Sequence, residues 1–327
     1  MTLQEILDKL PKLKPNRRYW FVRTDGGALY EQFLDGGNIG IGWDKVTLED
    51  ISKSNTGDNT GIQILKEIVK RKYDEEQRPG YAVSQLIKFA YQIKKNDIVL
   101  IPSQSSQEIS FGEVTETPAS NDLNADYFIK RKSVKWLTSV SRTSLDPNLF
   151  RLMFSHHTIS EADFYAEHID KEINSFFIKG DRAHLVLGVQ SKNDIKAREL
   201  FEMGTLSLDI LDEFTKEEKL AFDTDEINVK LNVQSPGLIE LSGLDIGGIV
   251  LLGIILVVIS GGGFEVALSD KFKLSLKTDG IIEKVRKFLR TNSKINTKKQ
   301  LLEKHMKDLD IKDPEDLVKI LKELDKE

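Results

Sequence analysis

One apolar stretch constrains the fold of this chain more than any other feature: GGIVLLGIILVVISGGG, at positions 247–263. From Ile246 to Ile259 the chain holds only glycine and aliphatic residues, with no charge and no amphipathic period. A helix of this composition has to be buried on every side. Its 14 residues would rise about 21 Å, at about 1.5 Å each, against about 30 Å for the hydrocarbon core of a bilayer.

Three environments can bury such a segment: a membrane, the core of the monomer, or a homo-oligomer interface. We favour membrane association through residues 246–260, as a transmembrane or re-entrant helix, because the chain that follows is basic. From Ser269 to Glu327 there are 16 Lys and Arg against 12 Asp and Glu, with Lys271, Lys273 and Lys277 close to the apolar run. Basic flanks stay on the cytoplasmic side of a membrane. We therefore expect a cytoplasmic protein at the inner face of the cytoplasmic membrane.

Composition excludes several classes of function. The chain has no cysteine, so disulfides and thiolate metal sites are ruled out. A net charge of −5 does not suit a polycation that coats nucleic acid. The N-terminal MTLQEILDKLPKLKP lacks the apolar centre of a secretory signal, so we expect none. The 327 residues are enough for two domains of ordinary size, each with its own core.

The segment from about residue 15 to residue 140 predicts an α+β arrangement. Its elements read in the order strand, strand, helix, helix, hairpin, strand. The strands are YWFVRT, GIGWDKV, the hairpin IVLIPSQ with ISFGEVTE, and FIKRKSVKWL, and the helices span about 61–73 and 82–95. Between the first two strands, TDGGALYEQFLDGGN holds two Gly-Gly pairs and predicts a long turn region.

Five short motifs stand out in this segment: WFVRTDGG, GIGW at 40–43, KKNDIVLIPSQ at 94–104, FGEVTE at 111–116 and KRKSVKW at 130–136. Together they resemble the PUA-like superfamily, in particular its EVE and Mrr-N-terminal type of module. The resemblance implies a PUA-like β-barrel with flanking helices. It also implies binding of RNA or of a modified DNA base, since modules of this superfamily commonly do so. Some are fused to restriction nucleases or other antiviral effectors, which implies a role in prokaryotic antiviral defence.

The rest of the chain predicts a small β-α-β domain and a C-terminal helical tail. A helical region at 147–178 precedes the strand HLVLGVQ, a helix at 193–214 and the strands INVKLNVQ and GLIEL. FEVAL and FKLSL follow the apolar segment as further strands, and amphipathic helices end the chain. We predict three domains: 1–142, PUA-like; 143–291, α+β with the apolar segment; and 292–327, a helical hairpin.

Aromatic and polar residues of the first segment are the candidate ligand site. A base can stack on an exposed ring, worth about 1–3 kcal/mol per base, and polar groups at strand ends can read its edge. The alternative is that the rings fill the core of a small barrel. That alternative is weakest for Trp43, which follows the two glycines of GIGW. The candidate ligand-binding residues are Trp20, Arg23, Asp25, Trp43, Ser103, Gln104 and Phe111.

The strand KRKSVKW is locally basic and is the candidate nucleic-acid contact. Alternation along a strand places Lys130 and Lys132 on one face and Arg131 on the other, and Lys135 follows. Contact with phosphates is one interpretation of these four cations. A solvated sheet face is the other.

No pattern in the sequence indicates catalysis, a metal or a cofactor. His156, His157 and His168 fall near Asp163, Glu167 and Asp170, but no HExxH pattern is present and structural roles fit better. DEINVKL offers acidic residues and a lysine without the acid-x-lysine spacing of a restriction nuclease. Phosphate-loop and serine-elbow patterns are absent too. We expect no catalytic residue, no metal site and no cofactor.

Two functions of different class follow. The first is a non-catalytic sensor whose PUA-like module binds a nucleic acid, modified base or nucleotide-like ligand, with the C-terminal half mediating membrane or oligomer association. The alternative is a restriction-like nuclease or other metal-dependent nucleic-acid-processing enzyme, with a metal near 156–170. A ring-lined pocket at Trp43 would favour binding, whereas three converging carboxylates or histidines would favour the enzyme.

Overall fold

The structure is a computed structural model that describes residues 1–54, 59–122, 125, 127–191, 193–232, 236–261 and 280–325. The protein is of mixed α+β class, as the sequence predicts. Its chain divides into two compact units. One is Asn16–Ile173, and the other combines Met1–Pro15 with Asn174–Glu327. The division thus lies after residue 173 rather than after 142, and residues 292–327 belong to the larger unit instead of standing alone.

The strands and helices are numbered here in chain order over the described residues. The strands are β1 (Lys12–Leu13), β2 (Tyr19–Val22), β3 (Asn38–Ile41), β4 (Ile98–Pro102), β5 (Glu108–Val114), β6 (Ser120–Asn121), β7 (Lys130–Ser141), β8 (Ile159–Glu161), β9 (Phe176–Lys179), β10 (Arg182–Val189), β11 (Asn228–Asn232), β12 (Gly237–Gly243) and β13 (Ile311–Lys312). The α-helices are α1 (Leu3–Lys9), α2 (Tyr30–Asp35), α3 (Leu48–Lys53), α4 (Asn59–Lys72), α5 (Pro79–Ile87), α6 (Phe150–Met153), α7 (Ala166–Ile173), α8 (Ala197–Glu218), α9 (Ile246–Ser260), α10 (Ile281–Thr291), α11 (Asn296–Asp308) and α12 (Glu315–Leu324).

The Asn16–Ile173 unit is built on a curled half-barrel sheet. Its strand order is β3-β7-β5-β4-β2-β8, with β6 paired to β7. Strands β2 and β4 run parallel, whereas β4 and β5 form the antiparallel hairpin that the sequence predicts. Both faces of the sheet are covered by apolar clusters, one around Trp20, Phe33 and Phe89 and the other around Phe21 and Phe111.

Two sequence predictions in this unit are wrong. The stretch TDGGALYEQFLDGGN is not only a turn region, because it holds α2 with Tyr30 and Phe33 buried. Its glycine pairs flank this helix instead of interrupting it. The region 147–178 is not a continuous helix either, since β8 lies within it and pairs antiparallel with β2. Pairing with a strand far away in sequence overrides the local helical pattern.

The second unit has its own sheet, in the order β1-β9-β10-β12-β11, with β13 paired to β10. Helix α8 follows β10, as the predicted β-α-β unit requires. The strand next to β10 is nevertheless antiparallel β12, so the pairing is not that of a parallel β-α-β unit. The predicted strands FEVAL and FKLSL and the lysines at 271, 273 and 277 lie outside the described residues.

The apolar segment forms α9, which is the central helix of this unit. It is buried from Gly247 to Val257 and again at Ile259, with an exposed fraction of at most 4% for its aliphatic side chains over those positions. Strands β10 and β12 pack on it, as do α1, α8, α10, α11 and α12. Asp245 caps the first turn of α9 by accepting a hydrogen bond from the Gly248 N–H at 3.0 Å. The helix ends before Gly261, which has a left-handed backbone conformation.

The prediction of a transmembrane helix is therefore wrong. Among the helices that the structure describes, none combines the length and the apolar character needed to cross a bilayer. No bilayer is needed to bury α9, because the N-terminal helix and the helical tail both return to cover it. Each face of the helix thus finds an apolar neighbour within the same unit.

Candidate functional site

Trp43 lies at a sharp corner of the chain just after β3. Its φ of 55° is in the left-handed region, which is rare for a bulky residue. The Trp43 carbonyl oxygen accepts hydrogen bonds from the Val46 N–H at 2.9 Å and from the Lys130 Nζ at 3.0 Å. A backbone held in such a conformation is typical of functional sites, where the surrounding structure stabilises it.

The ring of Trp43 lines a surface groove with a volume of about 840 Å³. We call it the Trp43 groove. Its rings are in contact: Tyr81 meets Trp43 edge to face at 6.0 Å between centroids and stacks on His157 at 5.6 Å. The lining residues are Trp43, Lys45, Tyr73, Asp74, Glu75, Glu76, Gln77, Arg78, Tyr81, His156 and His157.

Hydrogen bonds and charges fix the Trp43 indole in this groove. Its Nε1 donates to Glu76 Oε2 at 3.0 Å, and the Arg78 N–H donates to the other oxygen of that carboxylate at 2.9 Å. Both hydrogen bonds lower the pKa of the Glu76 carboxyl and keep it ionised, and the one from the indole has the larger effect. On the same lining, Lys45 Nζ lies 5.2 Å from the centroid of the Tyr73 ring, within range of a cation–π contact.

Arg23 holds the loop that carries two lining residues of the Trp43 groove. Its backbone N–H donates to the Thr158 carbonyl at 2.9 Å, and its guanidinium donates to the carbonyl of Ser155. The Tyr81 hydroxyl accepts from the Thr158 N–H at 2.7 Å. These bonds fix the loop that carries His156 and His157. Arg23 thus holds the groove's histidine loop without being part of the lining.

The other predicted ligand residues lie elsewhere. Trp20 and Phe111 are core side chains with 0% exposure, and Trp20 Nε1 donates to buried Asp97 at 2.9 Å. Two short turns after β2 and β4 bring Asp25, Ser103 and Gln104 together. Because these strands run parallel, their ends meet at one edge of the sheet. None of these five residues is on the lining of the Trp43 groove.

The predicted basic strand is mostly buried. Lys130 and Lys132 have 0% exposure and Arg131 has 4%, so only Lys135 of the four is exposed. Neither phosphate contact nor a solvated face describes the three buried cations. These three cations are buried because β7 lies between β3 and β5 and both of its faces are covered. Lys132 donates to the Thr117 carbonyl, and Lys130 supports the Trp43 corner.

Arg131 is the least satisfied of these cations. Its guanidinium lies 5.1 Å from the Phe33 ring centroid, and its nearest ion-pair contact among the described residues is Asp122 at 3.9 Å. Its Nε and both Nη atoms have no hydrogen-bond partner among the described residues. A Cβ on Gly40 would clash with Arg131 Nη1. The first glycine of GIGW therefore makes room for this guanidinium.

The histidines and acidic residues of 156–170 do not converge. His156 and His157 line the groove, whereas His168 Nδ1 lies 2.6 Å from Asp146 Oδ2. Asp170 accepts a hydrogen bond from the Tyr19 hydroxyl at 2.7 Å. Over the part of the chain that the structure describes, no three His, Asp or Glu side chains are grouped so as to hold a metal ion.

Sequence reasoning named Trp43 but missed most of its neighbours on the lining. Tyr73 lies just after α4 and Tyr81 at the start of α5, so they flank the turn DEEQRPG. Two tyrosines on either side of a charged turn are a signal that could have been used. His157 reaches the groove only through the tertiary contact of its loop with Tyr81.

Comparison with known proteins gives one match. Residues 20–163 match the family model described as Domain of unknown function (DUF8426). This span covers less than half of the chain, lies within the Asn16–Ile173 unit and includes every lining residue of the Trp43 groove. No curated protein and no solved structure matches the chain.

Proposed function

We propose that the Asn16–Ile173 unit is a PUA-like binding module whose Trp43 groove takes a base of a nucleic acid or a nucleotide-like ligand. The observation that carries this proposal is the partly exposed Trp43 ring, held at a left-handed corner beside Tyr81 and His157. A protein core would bury such rings, whereas a binding site leaves them open to a planar ligand.

The chemistry of the lining supports a base with a phosphate close by. Trp, Tyr and His rings offer faces on which a base can stack, and stacking tolerates any base. Asp74 and Glu75 can accept hydrogen bonds from exocyclic amino groups. Lys45 and Arg78 supply positive charge on the same lining for a phosphate. The groove volume of about 840 Å³ exceeds that of a single base and suits a nucleotide.

The sensor role and its setting remain parts of this proposal. The resemblance to EVE and Mrr-N-terminal modules favours a nucleic acid over a free nucleotide, and a role in prokaryotic antiviral defence. Cytoplasmic location and homo-oligomer formation stay predictions from the sequence. The nuclease alternative lacks a supporting observation, since the carboxylates and histidines of the described residues form no metal-binding group.

A binding screen tests the proposal. The full chain is titrated with labelled RNA, unmodified DNA, DNA carrying modified bases, and free nucleotides. We expect at least one to bind, and Trp43→Ala to weaken that binding about 10-fold or more, since a stacked base contributes about 1–3 kcal/mol. Phe164→Ala is the matched control, because Phe164 is 89% exposed and does not line the groove. Equal affinity of Trp43→Ala and the wild type, or binding of no probe, would refute the proposal.

A further inference from the structure

We infer that Lys130 and Asp44 are positioning residues that hold the Trp43 ring in its groove, and that they thereby set the affinity of the site. The effect on affinity rests on the function proposed above, whereas the positioning does not. The geometry is direct: Lys130 Nζ lies 3.0 Å from the Trp43 carbonyl oxygen and 3.3 Å from Asp44 Oδ1. Both partners belong to the corner that carries the ring.

The placement of a lysine here needs an explanation. Lys130 has 0% exposure, and its position in the middle of a sheet would ordinarily hold an apolar side chain. Burial lowers the pKa of its ammonium, and Asp44 opposes that shift. Burying a charge is unfavourable unless it is paired and hydrogen-bonded. Among the described residues, the groups that Lys130 Nζ contacts in this way are those of Trp43 and Asp44.

Asp44 ties the corner to a second loop. Its carboxylate accepts hydrogen bonds from the N–H groups of Phe128 at 2.8 Å and Ile129 at 2.9 Å. Phe128, like Trp43, has a positive φ, at 54°. One carboxylate thus joins two left-handed corners, and Lys130 bridges it to the Trp43 carbonyl. Removing the ammonium takes away the side-chain hydrogen bond from β7 to the Trp43 carbonyl, and the indole then keeps only its contacts with Glu76 and Tyr81 and its packing on the core.

The strand offers a matched control. Lys132 is also fully buried on β7, but its Nζ donates to the Thr117 carbonyl and contacts neither Trp43 nor Asp44. Lys130→Met and Lys132→Met therefore remove the same charge from the same strand. If Lys130 only stabilised the fold, the two substitutions would affect the groove to a similar extent. A positioning role predicts that only the first alters the Trp43 ring.

The test uses the full chain with 5-fluorotryptophan, whose fluorine spectrum reports Trp20, Trp43 and Trp136 separately. We expect Lys130→Met to shift or broaden the Trp43 signal while the other two stay in place, and Lys132→Met to leave the Trp43 signal unchanged. Asp44→Asn, which keeps an acceptor oxygen, should show a smaller change of the same kind and serves if Lys130→Met does not fold. An unchanged Trp43 signal in both Lys130→Met and Asp44→Asn would overturn the inference.

A second arm measures the affinity of these variants for a single-stranded DNA oligonucleotide and an RNA of the same sequence. We expect Lys130→Met to weaken binding about 10-fold, because a contact group that is no longer held in place loses pre-organisation. Lys132→Met should bind as the wild type does. If the fluorine signals change as expected but the wild type binds neither these two probes nor any probe of the binding screen, the positioning stands and the proposed function is refuted. If the probes bind and Lys130→Met binds equally well, the inferred control of affinity is wrong.

Discussion

The backbone of Gly253 lies directly against the side chain of Leu317. A Cβ on Gly253 would be 2.6 Å from Leu317 Cδ2, and Leu317 is fully buried. Helices α9 and α12 can approach this closely only because α9 has no side chain at that position. The glycine of the apolar run is therefore a packing residue of the unit's core.

Substitution by alanine should have opposite effects on stability at Gly253 and at Gly204. Gly253→Ala should lower the free energy of unfolding by about 1–3 kcal/mol, the usual effect of overpacking. Gly204→Ala, on α8, should raise it by about 0.5–1 kcal/mol, the gain expected in a helix interior, because nothing lies within 4 Å of the added methyl group. Urea unfolding followed by circular dichroism measures both. A stabilising Gly253→Ala would contradict the packing described for α9.

Lys132 predicts a pH dependence of stability in the other unit. Burial lowers its pKa from 10.5 to about 8. Between these values the unfolded chain binds more protons than the folded chain, so the free energy of unfolding should rise with pH from about 8 to about 10.5. Over this pH range the free energy of unfolding should increase by about 3 kcal/mol in total.

The measurement is urea unfolding across this pH range, followed by tryptophan fluorescence, because all three tryptophans lie in the Asn16–Ile173 unit. The difference between the wild type and Lys132→Met isolates the lysine from other titrating groups. Parallel pH curves for the two proteins would show that Lys132 titrates normally.

Glu172 predicts a pH dependence of the opposite sign. Its Oε1 accepts a hydrogen bond from the Asp146 N–H at 2.8 Å. Burial, with a contribution from the nearby Asp146 carboxylate, raises the pKa of Glu172 from 4.5 to about 7. Between pH 4.5 and about 7 the folded protein keeps a proton on Glu172 that the unfolded chain has lost. The stabilisation that this proton provides is complete below about pH 4.5 and is lost as the pH rises through about 7.

Glu172→Gln should therefore stabilise the protein above about pH 7 and have little effect near pH 4.5. The amide oxygen can still accept from the Asp146 N–H, so the substitution changes mainly the charge. Melting temperatures of both proteins at the two pH values test this. A variant that is less stable than the wild type above pH 7 would contradict the account.

Trp20 and Trp43 should differ sharply in their effect on folding. Trp20 is fully buried and bonded to Asp97, so Trp20→Ala should cost about 3–5 kcal/mol. Trp43→Ala should cost less, about 1–2 kcal/mol, because its ring is only partly buried against the edge of the core and the Lys130 bond is to its backbone carbonyl and is kept. Calorimetry of the two variants measures both. A loss of stability in Trp43→Ala equal to that of Trp20→Ala would place Trp43 in the core.

Local patterns were enough to predict much of the Asn16–Ile173 unit. Strands β2, β3 and β7 and helices α4 and α5 follow from apolar periodicity, and the β4–β5 hairpin follows from two apolar runs joined by a polar turn, whereas α2, α3 and β8 were not predicted. The GIGW pattern also singled out Trp43, because glycines before an aromatic indicate an unusual backbone. These features depend on residues close together in sequence.

The environment of a strand or helix could not be predicted in this way. Lys130 and Arg131 look like solvent-facing cations until β3 and β5 are known to flank β7. The Trp43 corner is held by Lys130, 87 positions further along the chain. Helix α9 looked like a membrane segment because its cover comes from α1 and from α10–α12, at the two ends of the chain. Each of these outcomes depends on tertiary contacts that no local pattern encodes.

The central claim is that the ligand of this protein contacts Trp43. The three indole N–H groups have different hydrogen-bond partners: Asp97 for Trp20, Glu76 for Trp43 and the Phe33 carbonyl for Trp136. They should therefore give three separate signals in a two-dimensional nitrogen–proton spectrum, which Trp→Phe variants assign. On titration with the tightest-binding oligonucleotide, we predict that the Trp43 signal moves while those of Trp20 and Trp136 stay. Saturable binding that leaves the Trp43 signal in place would contradict the account.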